Sequence, residues 1–313
     1  MLSDRFFFIT CRVLRCRGAL EESEFQCLAR TVREGKSRRV STTETLRYPL
    51  TTMDTERLEH AIALRDTGRV EEAIKELAAL TELTIDPEEK GTLLLNETRC
   101  YRLLGRLGEA GERLSCARRI APQTQALLYL HEEEAILHWH KRERDKALKI
   151  LDRLCADYGQ LLLTPEHHDL YARVQTSRGM LLTELTRYGE ATPLLEECIS
   201  FDSPLIDKVG ILYNLGLCSL KLGKSAEAKE EFQEVLRNGC QADYTAMAHF
   251  YLGTIYFAGV AYAKALIEFE SCLACGEGGP PKQYLYKWLA STARTLGMRE
   301  DAERYERLAK ASG

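Results

Sequence analysis

Residues 212–219 read LYNLGLCS, followed by Ala228 and Phe232; residues 249–256 read HFYLGTIY, followed by Ala265 and Phe269 at the same distances. The two stretches lie 37 residues apart, and each places a glycine twelve residues before its alanine. Extending the alanine register in both directions gives Ala73, Ala110, Ala147, Ala191, Ala228, Ala265 and Ala302, at intervals of 37, 37, 44, 37, 37 and 37 residues. A period of this size marks a repeat protein. Four residues after each alanine stand Leu77, Leu114, Leu151, Leu195, Phe232, Phe269 and then Glu306. Seven after stand Leu80, Ala117, Leu154, Cys198, Val235, Cys272 and Ala309. Offsets of four and seven share one helical stripe. Twelve residues before each alanine stands a small residue or threonine: Ala61, Thr98, Ala135, Gly179, Gly216, Gly253 and Ala290. That position falls on a preceding helix. Gly68, Gly105, Gly223 and Gly297, five residues before their alanines, and Gly259, six before, punctuate the join. Each unit is therefore predicted to be helix A, a tight turn and helix B. The two helices approach closely because no large side chain separates them at the small position.

These stretches resemble the tetratricopeptide repeat, whose pattern runs W-x2-L-G-x2-Y…A-x3-F…P. The match is closest at 212–219 and 249–256; an earlier unit keeps Ala110, Leu114, Ala117 and Pro122. The resemblance covers about residues 54–310. It implies an all-α fold, an α-solenoid wound as a right-handed superhelix of seven helix-turn-helix repeats. These fall near 54–90, 91–127, 128–164, 172–208, 209–245, 246–282 and 283–313, within a repeat domain over 53–313. The A helices are then expected to line an inner surface and the B helices an outer one. The sequence departs from the family in its 37-residue period, against 34, and in seven extra residues around 158–170. Thr164 before Pro165 reads as a helix start, so the insertion is expected to lengthen helix A of the fourth repeat by about two turns. Glu306, where other repeats carry Leu or Phe, fits a final repeat with a polar face.

The N-terminal stretch differs from the repeats. Residues 1–52 carry ten Lys/Arg and six Asp/Glu, a net +4, and the remaining residues therefore net −8 within a whole-chain charge of −4. Phe6-Phe7-Phe8-Ile9 is too short for a signal-peptide core, and the five glutamates argue against a transit peptide. The segment shows no helical or strand period, so 1–52 is expected to be a disordered or non-native extension, with Met53 a natural start. Eleven scattered cysteines, an odd number, fit reduced thiols and a cytoplasmic protein rather than a disulfide framework. Cys272 and Cys275 form the one C-x2-C; with no second pair they read as structural thiols rather than a zinc site.

The family's inner-surface positions point to a binding groove. They fall on Tyr213, Asn214, Leu217 and Lys221, then Phe250, Tyr251, Thr254 and Phe257, then Tyr284, Lys287 and Trp288. So many aromatics on one face fit a pocket for an apolar or aromatic peptide. The alternative is that the rings pack on one another. Some members of the family grip a C-terminal carboxylate with Lys/Arg and Asn. Here Asn96 and Asn214 match the asparagine position, but Glu133 and Tyr251 stand where a basic residue belongs, so that clamp is absent.

The stretch 131-HEEEAILHWH-140 looks like a metal cluster but lies on helix A of the third repeat. Glu132, Glu133 and Trp139 should then form an acidic patch with one aromatic, suited to a basic partner segment. His167-His168 reads as a surface pair at a helix start, since adjacent residues point about 100° apart. No G-x4-G-K-[ST] or G-x-S-x-G motif occurs. The acidic repeats lack the basic stripe that nucleic acid requires. No apolar run reaches the ~18 residues of a membrane helix. The reading is a non-catalytic scaffold or adaptor for protein or peptide partners, with no cofactor, nucleic acid or membrane. A peptide-sensing regulator whose repeats change shape on binding is the alternative, and an enzyme or metal-binding protein comes behind both.

Overall fold

A computed structural model describes residues 52–120, 126–201, 207–238, 242–276 and 278–312. The extension expected over 1–52 lies outside the described residues but for Thr52. Every regular element described is helical, and fourteen α-helices follow one another in A/B pairs: α1 (Thr52–Asp66) with α2 (Val70–Leu83), α3 (Pro87–Leu103) with α4 (Leu107–Ile120), α5 (Ala126–His140) with α6 (Arg144–Leu162), α7 (His168–Glu184) with α8 (Tyr188–Ile199), α9 (Lys208–Lys221) with α10 (Ser225–Asn238), α11 (Ala242–Ala258) with α12 (Tyr262–Ala274), and α13 (Lys282–Thr295) with α14 (Arg299–Ala311). The fold is an all-α helical repeat of the solenoid class. The chain divides into two compact units, Met1–Val174 and Gln175–Gly313, with the boundary inside α7.

The alanine register is the axis of the packing. All seven alanines are buried, together with the Leu or Phe four residues on in the first six pairs. In unit 2 the small position shows why it must be small. A Cβ on Gly216 would lie 2.7 Å from the Phe232 ring, and one on Gly253 would lie 2.6 Å from the Phe269 ring. The phenyl group thus occupies the space a side chain would need.

The A–B turn is a single backbone solution used seven times. The residue five before each register alanine has a positive φ: Gly68, Gly105, Gly223 and Gly297 at 73–84°, and Arg142, Thr186 and Val260 at 63°, 61° and 62°. This is the left-handed cap that ends helix A. The sequence points to Gly259 in the sixth pair, but the cap falls on Val260, because the hydrogen-bond count closing the helix fixes the position. Val260 N–H donates to Phe257 O at 3.1 Å, as Gly223 N–H does to Leu220 O at 3.2 Å. A β-branched residue there is strained by about 1–2 kcal/mol. Val260→Gly is expected to raise unit 2 stability by about 1 kcal/mol once glycine's freedom in the unfolded chain is set against that relief. The check is the urea midpoint.

The insertion falls elsewhere than expected. It lengthens α6, which has 19 residues where the other B helices have 12 to 14, and it adds a 3-10 turn over Pro165–His167. Pro165 disfavours α geometry in the residue before it, so the extra residues accumulate on the N-terminal side of Thr164. The Thr164 hydroxyl donates back to Leu161 O at 2.8 Å instead of capping forward. His167 is buried edge-on against Tyr129 at 6.2 Å, not at the surface, while His168 is exposed.

Candidate functional site

The eleven predicted groove residues lie on α9, α11 and α13, the A helices of unit 2. Helix α9 starts where the Asp207 carboxylate accepts from Gly210 N–H at 3.0 Å. That register sends Tyr213 toward α11, where its ring meets Tyr244 at 5.2 Å and Tyr251 at 6.3 Å. Tyr251 stacks on Phe232 at 5.2 Å and meets Phe250 at 5.4 Å. Phe250 touches Phe269, Tyr284 and Trp288, at 5.9, 5.7 and 6.5 Å. Trp288 closes the series on Phe257 at 5.3 Å and Phe269 at 5.5 Å. The rings are therefore one connected cluster of edge-on and tilted contacts, each about 0.5–1.5 kcal/mol beyond its burial.

The groove residues divide by depth. Phe250 is 5% exposed and belongs to the core, so the ring packing weighed as the alternative accounts for it. Tyr213, Leu217, Tyr251, Phe257 and Trp288 are half-buried. Tyr284 is 48% exposed, and Lys221 and Lys287 are exposed. Asn214 and Thr254 are half-buried, each bonded to its own helix at 2.7 Å, to Gly210 O and Tyr251 O. The face thus has a packed aromatic floor and a rim of Tyr284, Lys221 and Lys287. Burial pushes the Tyr213 and Tyr251 phenols up, and the Tyr244 phenol up to about 12. All three stay protonated at neutral pH and can donate hydrogen bonds.

The last pair carries a polar version of the same surface. Val209, Tyr213, Leu217 and Leu236 pack against the buried cluster that joins Phe232 of α10 to Ala248 and Leu252 of α11. Two repeats on, the equivalent residues are Gln283, Lys287, Ser291, Lys310 and Glu306, which line an open cleft of 290 Å³ together with Arg294. Arg294 pairs with Glu306.

Unit 1 corrects the acidic patch. Glu132 and Glu133 are 2% and 1% exposed. Arg173 holds Glu132 through Nε at 2.7 Å and Nη2 at 2.5 Å. Arg102 Nε holds Glu133 at 2.5 Å, and Arg99 Nε reaches it at 3.3 Å. A carboxylate this deep needs such pairing. Burial raises the Glu133 carboxyl, but Arg102 and Arg99 outweigh it and hold it below the ordinary glutamate range. The patch therefore presents no free acidic surface to a basic segment, and Trp139 beside it is half-buried. The inner-surface register selects Arg65, Arg99, Arg102 and Arg173 in the first, second and fourth repeats, but the pairing of the last three with Glu132 and Glu133 joins residues 31 to 41 apart, which no local pattern marks. The histidines of the stretch are also engaged: His131 with Arg118 at 2.9 Å, and His138 with Glu143 at 2.5 Å. Among the described residues, no three His, Cys, Asp or Glu side chains are placed to hold a metal ion. No described helix is long and apolar enough to cross a membrane. Burial pushes the Cys272 thiol up to about 12 and Cys275 up as well.

The class these features define is a helical-repeat protein. Residues 213–280 match the family described as tetratricopeptide repeat. Solved structures share the chain's fold. PilF of Pseudomonas aeruginosa is 22% identical, with a TM-score of 0.55 over 70% of this chain and 90% of that one. A tetratricopeptide repeat protein from Parabacteroides merdae is 18% identical, with a TM-score of 0.52 over 83% and 93%. The apo form of RapI is 13% identical, with a TM-score of 0.64 over 83% and 77%. No curated protein sequence matches the chain.

Proposed function

We propose that the chain is a non-catalytic scaffold or adaptor that holds a partner protein segment on the A-helix face of unit 2. The observation that carries this is the aromatic floor from Tyr213 to Trp288 with Tyr284 standing 48% exposed at its edge. A ring that exposed, continuous with a packed cluster, gains burial when an apolar or aromatic side chain covers it. Lys221 and Lys287 at the rim add charge that steers approach more than it adds affinity. Among the described residues the face pairs no nucleophile with a base, and binding is the chemistry it supports. Seven free cysteines among the described residues suit a reducing cytoplasm.

The test is a Tyr284→Ala/Lys287→Ala variant, which spares the core ring Phe250. The variant is expected to keep the wild-type circular dichroism and thermal midpoint and to lose the partners that wild type captures, with affinity down roughly tenfold or more. Undiminished capture by the folded variant would overturn the assignment of this face.

A further inference from the structure

The A-helix register that selects aromatics in unit 2 selects arginines in unit 1. Arg65 lies in the last turn of α1, Arg99 and Arg102 lie on α3, and Arg173 lies on α7. Three carboxylates oppose these four cations. Arg65 Nη2 pairs with Asp66 at 2.8 Å, Arg173 holds Glu132 through two nitrogens, and Arg102 holds Glu133 at 2.5 Å. Each carboxylate thus has an arginine of its own, and Arg99 is the fourth. Among the described residues its one hydrogen bond, 3.3 Å to Glu133 Oε2, goes to a carboxylate that Arg102 already neutralises.

A guanidinium brings five N–H donors, and the Arg99 side chain keeps 23% of its surface exposed. Burial pushes its guanidinium down, and the like charges of Arg173 and Arg65 push the same way against Glu133 and Glu132. The surroundings are held in place. Arg65 Nη1 donates to Asn96 Oδ1 at 3.1 Å, and Asn96 Nδ2 donates to Thr92 O at 3.0 Å. Arg102 Nη1 donates to His140 Nε2 at 3.3 Å, which places a neutral imidazole at the edge. Among the described residues the cluster is thus a fixed, partly desolvated frame with one more arginine than carboxylates.

We infer that Arg99 is the receiving group of an anion site on the A-helix face of unit 1, and that its ligand is a carboxylate side chain on an acidic segment of a protein partner. A planar guanidinium takes a carboxylate through two parallel N–H···O bonds, and partial desolvation strengthens them. The site reverses the sign expected from Glu132 and Glu133 in sequence, because those carboxylates are spent inside the frame. Arg99 stands where the terminal-carboxylate clamp carries an asparagine, so the site is not that clamp. Its residues belong to unit 1 and the aromatic face to unit 2, so either site can fail without the other.

Arg99→Met keeps the length of the side chain and removes the charge. The probe is a fluorescein-labelled peptide with four consecutive glutamates, set against its four-glutamine counterpart, with inorganic phosphate as competitor. Wild type is expected to bind the glutamate peptide and not the glutamine one, phosphate to compete, and Arg99→Met to weaken the glutamate peptide roughly tenfold or more. Tyr284→Ala should leave that affinity unchanged. With no anion present, the thermal midpoint of Arg99→Met should equal or exceed wild type, since a guanidinium whose burial outweighs its attraction to Glu133 has been removed. Three results would overturn the inference: unchanged glutamate-peptide binding by Arg99→Met, a midpoint several degrees lower in the absence of anion, or phosphate binding without peptide binding.

Discussion

Phe269→Ala is expected to destabilise unit 2 by about 3–5 kcal/mol, the cost of deleting a fully buried phenyl group and leaving a cavity. The ring is not only core. It lies against the backbone of α11 at Gly253, where an added Cβ would sit 2.6 Å from it, and it also touches Phe250 and Trp288. Gly253→Ala alone should cost about 1–3 kcal/mol by overpacking. The two changes should couple: Gly253→Ala combined with Phe269→Leu should cost less than their sum, because the smaller side chain leaves room for the methyl group. The two tryptophans give each unit its own probe, Trp139 in unit 1 and Trp288 in unit 2. Urea unfolding followed through Trp288 in a Trp139→Phe background reads the effect where it arises. Additive losses would mean that the glycine and the ring do not share one space.

The second large effect lies in unit 1. Glu133→Gln keeps the shape but leaves Arg99 and Arg102 without their shared anion, and the expected loss is about 3–5 kcal/mol. The loss depends on pH in a definite direction. The Glu133 carboxyl is held low in the folded state, so its contribution is complete above the unfolded glutamate pKa of about 4.3. It disappears as pH falls through the lowered folded value. The gap between wild type and Glu133→Gln should therefore be full at pH 7 and should close in strong acid. Unfolding curves followed through Trp139 over that range test it. A gap that stays constant with pH would remove the ion pairs as its cause.

How much of this was legible in the sequence depends on how far apart the deciding residues stand. The helix pairs were legible because the contacts that define them are local and repeat: an alanine, a small residue twelve before it and a large one four after. The turn was legible where glycine marks the left-handed cap, and missed at Val260, because position in the hydrogen-bonded turn, not residue type, sets that conformation. The insertion was misplaced because Pro165 governs the chain before it as well as after. The aromatics of α9, α11 and α13 were found in the sequence, but not their depth. Phe250 goes to the core because Phe269 of its own helix pair and Tyr284 and Trp288 of the next pair surround it. The acidic patch was misread for the same reason: Glu132 and Glu133 are acidic in sequence, and only arginines 31 to 41 residues away make them a neutralised core.

The central claim, that the A-helix face of unit 2 is where a protein partner is held, is tested most directly by photo-crosslinking from two positions. Benzoylphenylalanine placed at Tyr284 reports on the A-helix face. The same group placed at Ile267, on α12 and also exposed, reports on the B-helix face. The account predicts partner crosslinks from position 284 and none from position 267. Crosslinks from position 267 alone, or equally from both, would contradict it.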